Sequence, residues 1–338
     1  GTLWYKDDWG NTVQSPKEYP LIQDLDEELP GIAWELLPME KYRAHNWHCF
    51  ENLGARSPYA SLHTTFGCPY KCSFCCINAP FGKASYRMFS AEYVAKEIDI
   101  LVEKYGIRNI KFIDEMFVLN RQHVESICDR LIERRYDLNI WAYARIDTTD
   151  RVDLRKMRKA GFRWLALGIE SGSKHVRESA EKKFRNKDII EEVRKIQDEG
   201  LYVVGNYIFG LPDDTMETMQ ETLDMAQEIN AEWPNYYSAM AYPGAPLYKT
   251  AKEKGWALPD DPEGPGWIGY SQHAYETLPL PTDALPAKEV LRFRDAAFRQ
   301  TLENPNYRGM IQNKFGPRAN EHIKEILKVT LKRKLLGE

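Results

Sequence analysis

From about residue 59 onward, short apolar runs alternate with amphipathic stretches, and this alternation organises the chain. Leu62–Phe66 reads as a first strand. Ser90–Tyr105 follows as a helix, with Ser90 in the N-cap position and Gly106 just past the end; Val94, Ile98, Leu101, Val102 and Tyr105 share one face. The unit then repeats. Further strands are predicted at Asn109–Ile113, Ile140–Arg145, Trp164–Ile169, Tyr202–Phe209 and Tyr236–Ala241, with helices at Gln122–Arg135, Arg151–Ala160, Lys187–Glu199 and Thr215–Ile229. Gly161 and Gly200 stand where helix C-caps are expected. Strands separated by helices pair in parallel, because a parallel pair needs a long crossover. An α/β barrel, open or closed, is the economical architecture.

The flanks lack this rhythm. Residues 1–58 carry Trp4, Trp9, Trp34 and Trp47 among prolines and acids, and the run from Asp24 to Pro30 reads as a loop leading to a short turn. After Tyr242, prolines at 243, 246, 259, 262, 265, 279, 281 and 286 break the chain into loops, followed by predicted helices at Lys288–Leu302 and Ala319–Leu336. The basic run Lys332-Arg333-Lys334 reads as a solvated helix end that complements the dipole. The expected division is a lead-in at 1–58, an α/β barrel at 59–245 and a loop and helical extension at 246–338.

Charge narrows the function classes. The 46 Lys+Arg against 50 Asp+Glu leave a net charge of −4, which argues against a nucleic-acid binder. No stretch approaches the roughly 18 consecutive apolar residues of a membrane span, and no charged-then-apolar leader opens the chain. A cytoplasmic protein is expected. The chain begins at Gly1 rather than Met, and a segment N-terminal to it is expected in the full protein. Six cysteines stand at 49, 68, 72, 75, 76 and 128, and crowding of this kind points to metal or redox chemistry rather than a disulfide framework.

Directly after the first predicted strand comes Gly67-Cys68-Pro69-Tyr70-Lys71-Cys72-Ser73-Phe74-Cys75-Cys76. Cys68, Cys72 and Cys75 have the spacing C-x3-C-x2-C, which in a loop can fold three thiolates around one iron–sulfur cluster. Three ligands on a four-iron cube leave one iron open to a substrate or cofactor, the logic that separates catalytic from structural zinc sites. Gly67 would let the backbone approach the cluster. Zinc is the competing reading, but it wants a fourth ligand and no second C-x2-C or H-x3-H pair exists. Cys76 is expected as a packed thiol outside the cluster and Cys128 as a core residue, while Cys49 has no partner legible in the sequence.

The cysteine spacing, with the aromatic Phe74 before the last ligand, resembles the radical S-adenosylmethionine (SAM) superfamily. The surrounding residues are similar to its large branch containing cobalamin-dependent enzymes and the anaerobic cyclase of chlorophyll synthesis. The resemblance runs from about residue 20 to the C-terminus and is weaker after 245. It implies a partial (β/α)6 barrel of radical-SAM type carrying a [4Fe-4S] cluster on Cys68, Cys72 and Cys75, with SAM on the open iron. It places Asp114 or Glu115, after the second strand, at the SAM amino group, although either could instead cap the following helix. Arg145 and Glu170, with Ser171 beside it, are similar to the groups that meet the SAM carboxylate and ribose; Arg145 and Glu170 could also pair with each other. Ile208, in Gly205-Asn206-Tyr207-Ile208-Phe209-Gly210, resembles the adenine shelf, with Asp213 where the family carries a Glu.

The implied enzyme reductively cleaves SAM to a 5′-deoxyadenosyl radical and abstracts hydrogen from a small-molecule substrate. An electron donor such as flavodoxin or ferredoxin would serve it. Residues 1–40 resemble the connector that follows a cobalamin-binding domain, yet no Asp-x-His-x-x-Gly ligand motif occurs in the 338 residues. Cobalamin, and with it C-methylation, enters only through a domain preceding Gly1; otherwise radical dehydration, epimerisation or cyclisation is implied. A cluster-bearing electron carrier is the non-enzymatic alternative.

Overall fold

The computed structural model describes residues 4–15, 20–183 and 188–338. Six parallel strands form one sheet in sequence order: β1 (Tyr59–Leu62), β2 (Asn109–Phe112), β3 (Asn139–Ala144), β4 (Phe162–Glu170), β5 (Tyr202–Phe209) and β6 (Trp233–Ser238). β1 and β6 are its edges, so the sheet is an open, partial barrel. The crossovers carry α1 (Ala91–Tyr105), α2 (Arg121–Arg134), α3 (Leu154–Lys159), α4 (Ile189–Asp198) and α5 (Met216–Ile229). Ser90 caps α1 by accepting from the Tyr93 N–H, and Gly106 ends it at φ +65°. Lys187, the predicted start of α4, lies outside the described residues.

Period-2 alternation gives the sheet two unlike faces. Ile110, Phe112, Ile140, Ala142, Leu165, Leu167 and Phe209 are buried against helix residues such as Val94, Ile98, Val124 and Ile127. On the opposite face the N-terminal half is closed by an aromatic layer. Trp141 and Trp164 of the sheet meet Trp47 from the lead-in, edge to face at 5.2 and 5.1 Å between centroids. Phe50, Tyr307, Ile311 and Ile323 complete the plug. What remains open on this face is the C-terminal half of the strands.

Several predicted elements shift. Thr65–Phe66 is not part of the main sheet but pairs antiparallel with Arg87–Met88, so the first strand ends at Leu62. The last strand starts three residues early. Pro234 disguised it, yet β6 is an edge strand, where a missing N–H is tolerated. Prolines also start helices: Pro246 opens α6 (Pro246–Glu253), and after α7 (Ala287–Glu303) Pro305 and Pro317 open α8 (Pro305–Phe315) and α9 (Pro317–Leu327). The basic run is corrected too. α9 ends at Leu327, and Arg333 is fully buried, forking Asp295 at 2.8 and 2.9 Å and donating to the Ala274 carbonyl at 3.0 Å. Among the described residues no helix is long and apolar enough to cross a membrane.

Candidate active site

Parallel strands of a barrel deliver their following loops to one rim, and a cavity of about 470 Å³ lies there. Cys68, Cys72, Phe74, Cys75, Asp114, Glu115, Arg145, Glu170 and Ile208 all line it. Ser171 does not. It is buried behind the rim, its hydroxyl within 3.1 Å of Thr222 Oγ1 and accepting from the Ser173 N–H, so it shapes the turn after β4. Tyr237 also lines the cavity, as do Lys111, Tyr143 and Lys182, which were not singled out from the sequence.

The cysteine loop is held from several directions. Asp114, fully buried, accepts from the Thr64 and Thr65 N–H groups at 2.6 and 3.1 Å and from the Thr64 hydroxyl. Glu115 accepts from the Gly67 N–H at 3.1 Å. Neither caps a helix; Asn120 caps α2. The acidic pair instead fixes the chain leading into Cys68. Gly67 has φ +85°, and a Cβ there would sit 2.5 Å from the Ser85 carbonyl oxygen. Its lack of a side chain therefore serves the fold of the loop on Ser85. Further on, Ser73 donates from its N–H to the Ala180 carbonyl and accepts from the Leu247 N–H, while Phe74 packs near Val176, Ala180, Leu211 and Leu247.

The charges in the cavity are mostly paired, though not as the sequence proposed. Arg145 does not pair with Glu170. It forks Asp147 at 2.8 and 3.1 Å, lies 3.8 Å above the Tyr70 ring centroid and points Nη1 at Cys72 Sγ from 3.9 Å. Glu170, held at φ +67° beside a β-bulge, takes Lys182 as its partner at 2.9 Å. Lys182 was unreadable because it lies beyond β4 in a loop with no motif of its own. Ile208 faces the cavity from β5. The buried carboxylate of the following turn is Asp214, bonded by the Gly210 and Leu211 N–H groups, rather than Asp213.

Burial pushes Asp114 up to about 7, against the lowering effect of its hydrogen bonds to Thr64 and Thr65. Its folded-state value thus lies above its unfolded one. The stability it contributes is fully present below about pH 4 and is lost as pH rises through about 7. Asp114→Asn is expected to flatten that part of the pH dependence, read as denaturation midpoints at about pH 5 and about pH 8; an unchanged slope would contradict the assignment.

The donor set fits an iron–sulfur cluster. Three thiols converge on one cavity, and partial burial raises the Cys68 thiol, so it ionises less readily without a cationic partner. Among the described residues no three His, Cys, Asp or Glu side chains surround a single ion's position, and a four-iron cube does not require that, since its ligands meet separate corners. The remaining cysteines lie elsewhere: Cys128 is buried in the core, Cys49 donates to Asn109 Oδ1 at 3.4 Å, and Cys76 is half-buried.

Comparison with known proteins bears on this site. The family profile described as the radical SAM superfamily matches residues 62–226. An uncharacterized methyltransferase of Pyrococcus horikoshii is 32% identical over 249 residues, covering 74% of this chain and 51% of that protein. The anaerobic magnesium-protoporphyrin IX monomethyl ester cyclase of Rubrivivax gelatinosus is 28% identical over 249 residues, covering 72% of this chain and 42% of the cyclase. The chain thus spans about half the length of these relatives or less. Among solved structures, the cobalamin-dependent SAM radical enzyme OxsB, with aqua-cobalamin and SAM bound, superposes with a TM-score of 0.61. At 16% identity, over 96% of this chain and 52% of OxsB, that likeness speaks for the fold.

Proposed function

Because this chain belongs to the radical SAM superfamily, we propose that Cys68, Cys72 and Cys75 hold a [4Fe-4S] cluster whose open iron takes SAM. The observation that carries this reading is the meeting of the three thiols with Glu115, Glu170 and Ile208 in one cavity at the strand ends. A reduced cluster with SAM bound supplies a 5′-deoxyadenosyl radical able to take hydrogen from an unactivated C–H bond. The chain's own residues do the rest. Ile208 would offer the adenine an apolar wall, Glu170, held by Lys182, would accept from the ribose hydroxyls, and Glu115 with Asp114 would face the amino group. Arg145 has its fork occupied by Asp147, so we assign it to the Cys72 sulfur, which its Nη1 faces, rather than to the SAM carboxylate. The aromatic layer and Phe74 close the chamber against water.

The reaction we favour is C-methylation with cobalamin supplied from outside these residues, since a methyltransferase and a cobalamin-dependent enzyme stand among the proteins it resembles. The cyclase relative favours ring formation as a second reading. A small-molecule substrate and a one-electron donor such as flavodoxin or ferredoxin are the partners this chemistry needs. After anaerobic reconstitution and chemical reduction, the chain is expected to convert SAM to 5′-deoxyadenosine, measured by chromatography; methionine-free, unreacted SAM in the presence of an intact reduced cluster would overturn the reading.

A further inference from the structure

Charge accounting in the cavity leaves one cation unmatched. Arg145 is paired with Asp147 and Lys182 with Glu170, whereas Asp114 and Glu115 are bonded by backbone N–H groups of the cysteine loop. Lys111 has no carboxylate in salt-bridge reach among the described residues. Its ammonium instead lies 4.5 Å from the centroid of the Trp141 ring and 5.5 Å from that of Tyr143. Cation–π contact of this kind offsets part of the cost of desolvating an ammonium but leaves its positive charge uncancelled. Burial pushes the Lys111 pKa down.

The position is as informative as the charge. Lys111 sits mid-strand on β2, in register with Ser61 of β1 and Trp141 of β3, at the level of the aromatic layer that floors the chamber. The cysteine loop is tied in at the other end, where Asp114 and Glu115 meet Thr64, Thr65 and Gly67. A long cation at the floor, flanked by aromatic faces and without a carboxylate in salt-bridge reach among the described residues, matches an oxyanion carried on a planar or apolar body.

We infer that Lys111 is the anchor for an oxyanion of the substrate, a carboxylate or phosphate, which binds head-first against Trp141 and Tyr143 with the rest of the molecule extending toward the cysteine loop. This names the substrate class for the chamber and rests on the radical SAM reading, but its test does not depend on the cluster.

The probe is phenyl phosphate, with benzyl alcohol as the neutral counterpart, titrated calorimetrically into the cluster-loaded chain and again into the metal-free chain. Phenyl phosphate is expected to bind and benzyl alcohol not to. Lys111→Met is expected to weaken binding at least about tenfold, as loss of one anchoring contact of ~1.4 kcal/mol requires, and Lys111→Arg to restore it. In the unsubstituted chain phenyl phosphate should shield Lys111 from acetylation, a readout that stands even where Lys111→Met fails to fold. Equal affinity in Lys111→Met, failure of the unsubstituted chain to bind, or no shielding would overturn the proposal. Displacement of phenyl phosphate by SAM would overturn it too, by giving Lys111 to the SAM carboxylate. Loss of 5′-deoxyadenosine formation with shielding intact would instead count against the radical SAM reading alone.

Discussion

Cys72→Ala is expected to abolish the iron–sulfur chromophore after anaerobic reconstitution and, with it, all 5′-deoxyadenosine formation. Of the three thiols, Cys72 is the buried one and the one the Arg145 guanidinium faces, so its removal takes away a ligand and leaves a buried cation without that sulfur. Two remaining thiols cannot hold the cube in the geometry that leaves one iron open. Cys128→Ala, in the hydrophobic core and away from the cavity, is the matched control and should retain the chromophore. Iron and sulfide content measured beside the visible spectrum distinguishes lost ligation from lost folding. A Cys72→Ala protein that keeps cluster and activity would exclude the proposed ligand set.

The second large effect concerns stability. Arg333→Ala should cost about 2–3 kcal/mol, because it empties a fully buried position, leaves the Ala274 carbonyl without its donor and leaves Asp295 with Arg294 alone. Arg333 is fully buried, and its guanidinium joins Asp295 of α7 to the Ala274 carbonyl, while its own N–H reaches Glu338 at 3.1 Å. Asp295 also receives Arg294, which in turn donates to the Tyr236 carbonyl of β6. The last turn of the chain is therefore locked to the edge strand of the sheet. Burial acts against ionisation of Asp295, but the hydrogen bonds from Arg333 and Arg294 outweigh it and hold the carboxyl below its usual range. That stability is present above the unfolded pKa of about 3.9 and is lost as pH falls through the folded value. Urea denaturation at neutral pH reads the effect directly; a midpoint unchanged from the unsubstituted chain would contradict the burial of this side chain.

Arg333 also shows where sequence reading stops. A basic triplet near a terminus has the composition of a solvated face, and only the distant Asp295 makes its middle member a core residue. Lys111 and Lys182 were missed for the same reason: a lone lysine in a strand or loop carries no spacing, and its meaning comes from Trp141 or Glu170 across the fold. Local signals did better. The Ser90 cap, Gly106 at the end of α1 and the amphipathic face between them placed that helix to within a residue. The cysteine spacing brought Cys68, Cys72 and Cys75 to one place before any fold was known, because three ligands within eight residues need only a loop to converge. Proline was read too simply. At 246, 305 and 317 it occupies the first turn of a helix, where its missing N–H costs nothing, and at 234 it sits on an edge strand. Asp114 and Glu115 line the cavity at the end of β2, and their bonds to Thr64, Thr65 and Gly67 give them a part in holding the cysteine loop that no motif describes.

The central claim is that the cluster leaves one iron open and that SAM occupies it. Electron paramagnetic resonance of the reduced, reconstituted chain, recorded without and with SAM, tests this most directly. The account predicts that SAM changes the spectrum of the cluster. A spectrum identical in both conditions would mean a closed cluster of the electron-carrier kind and would contradict the account.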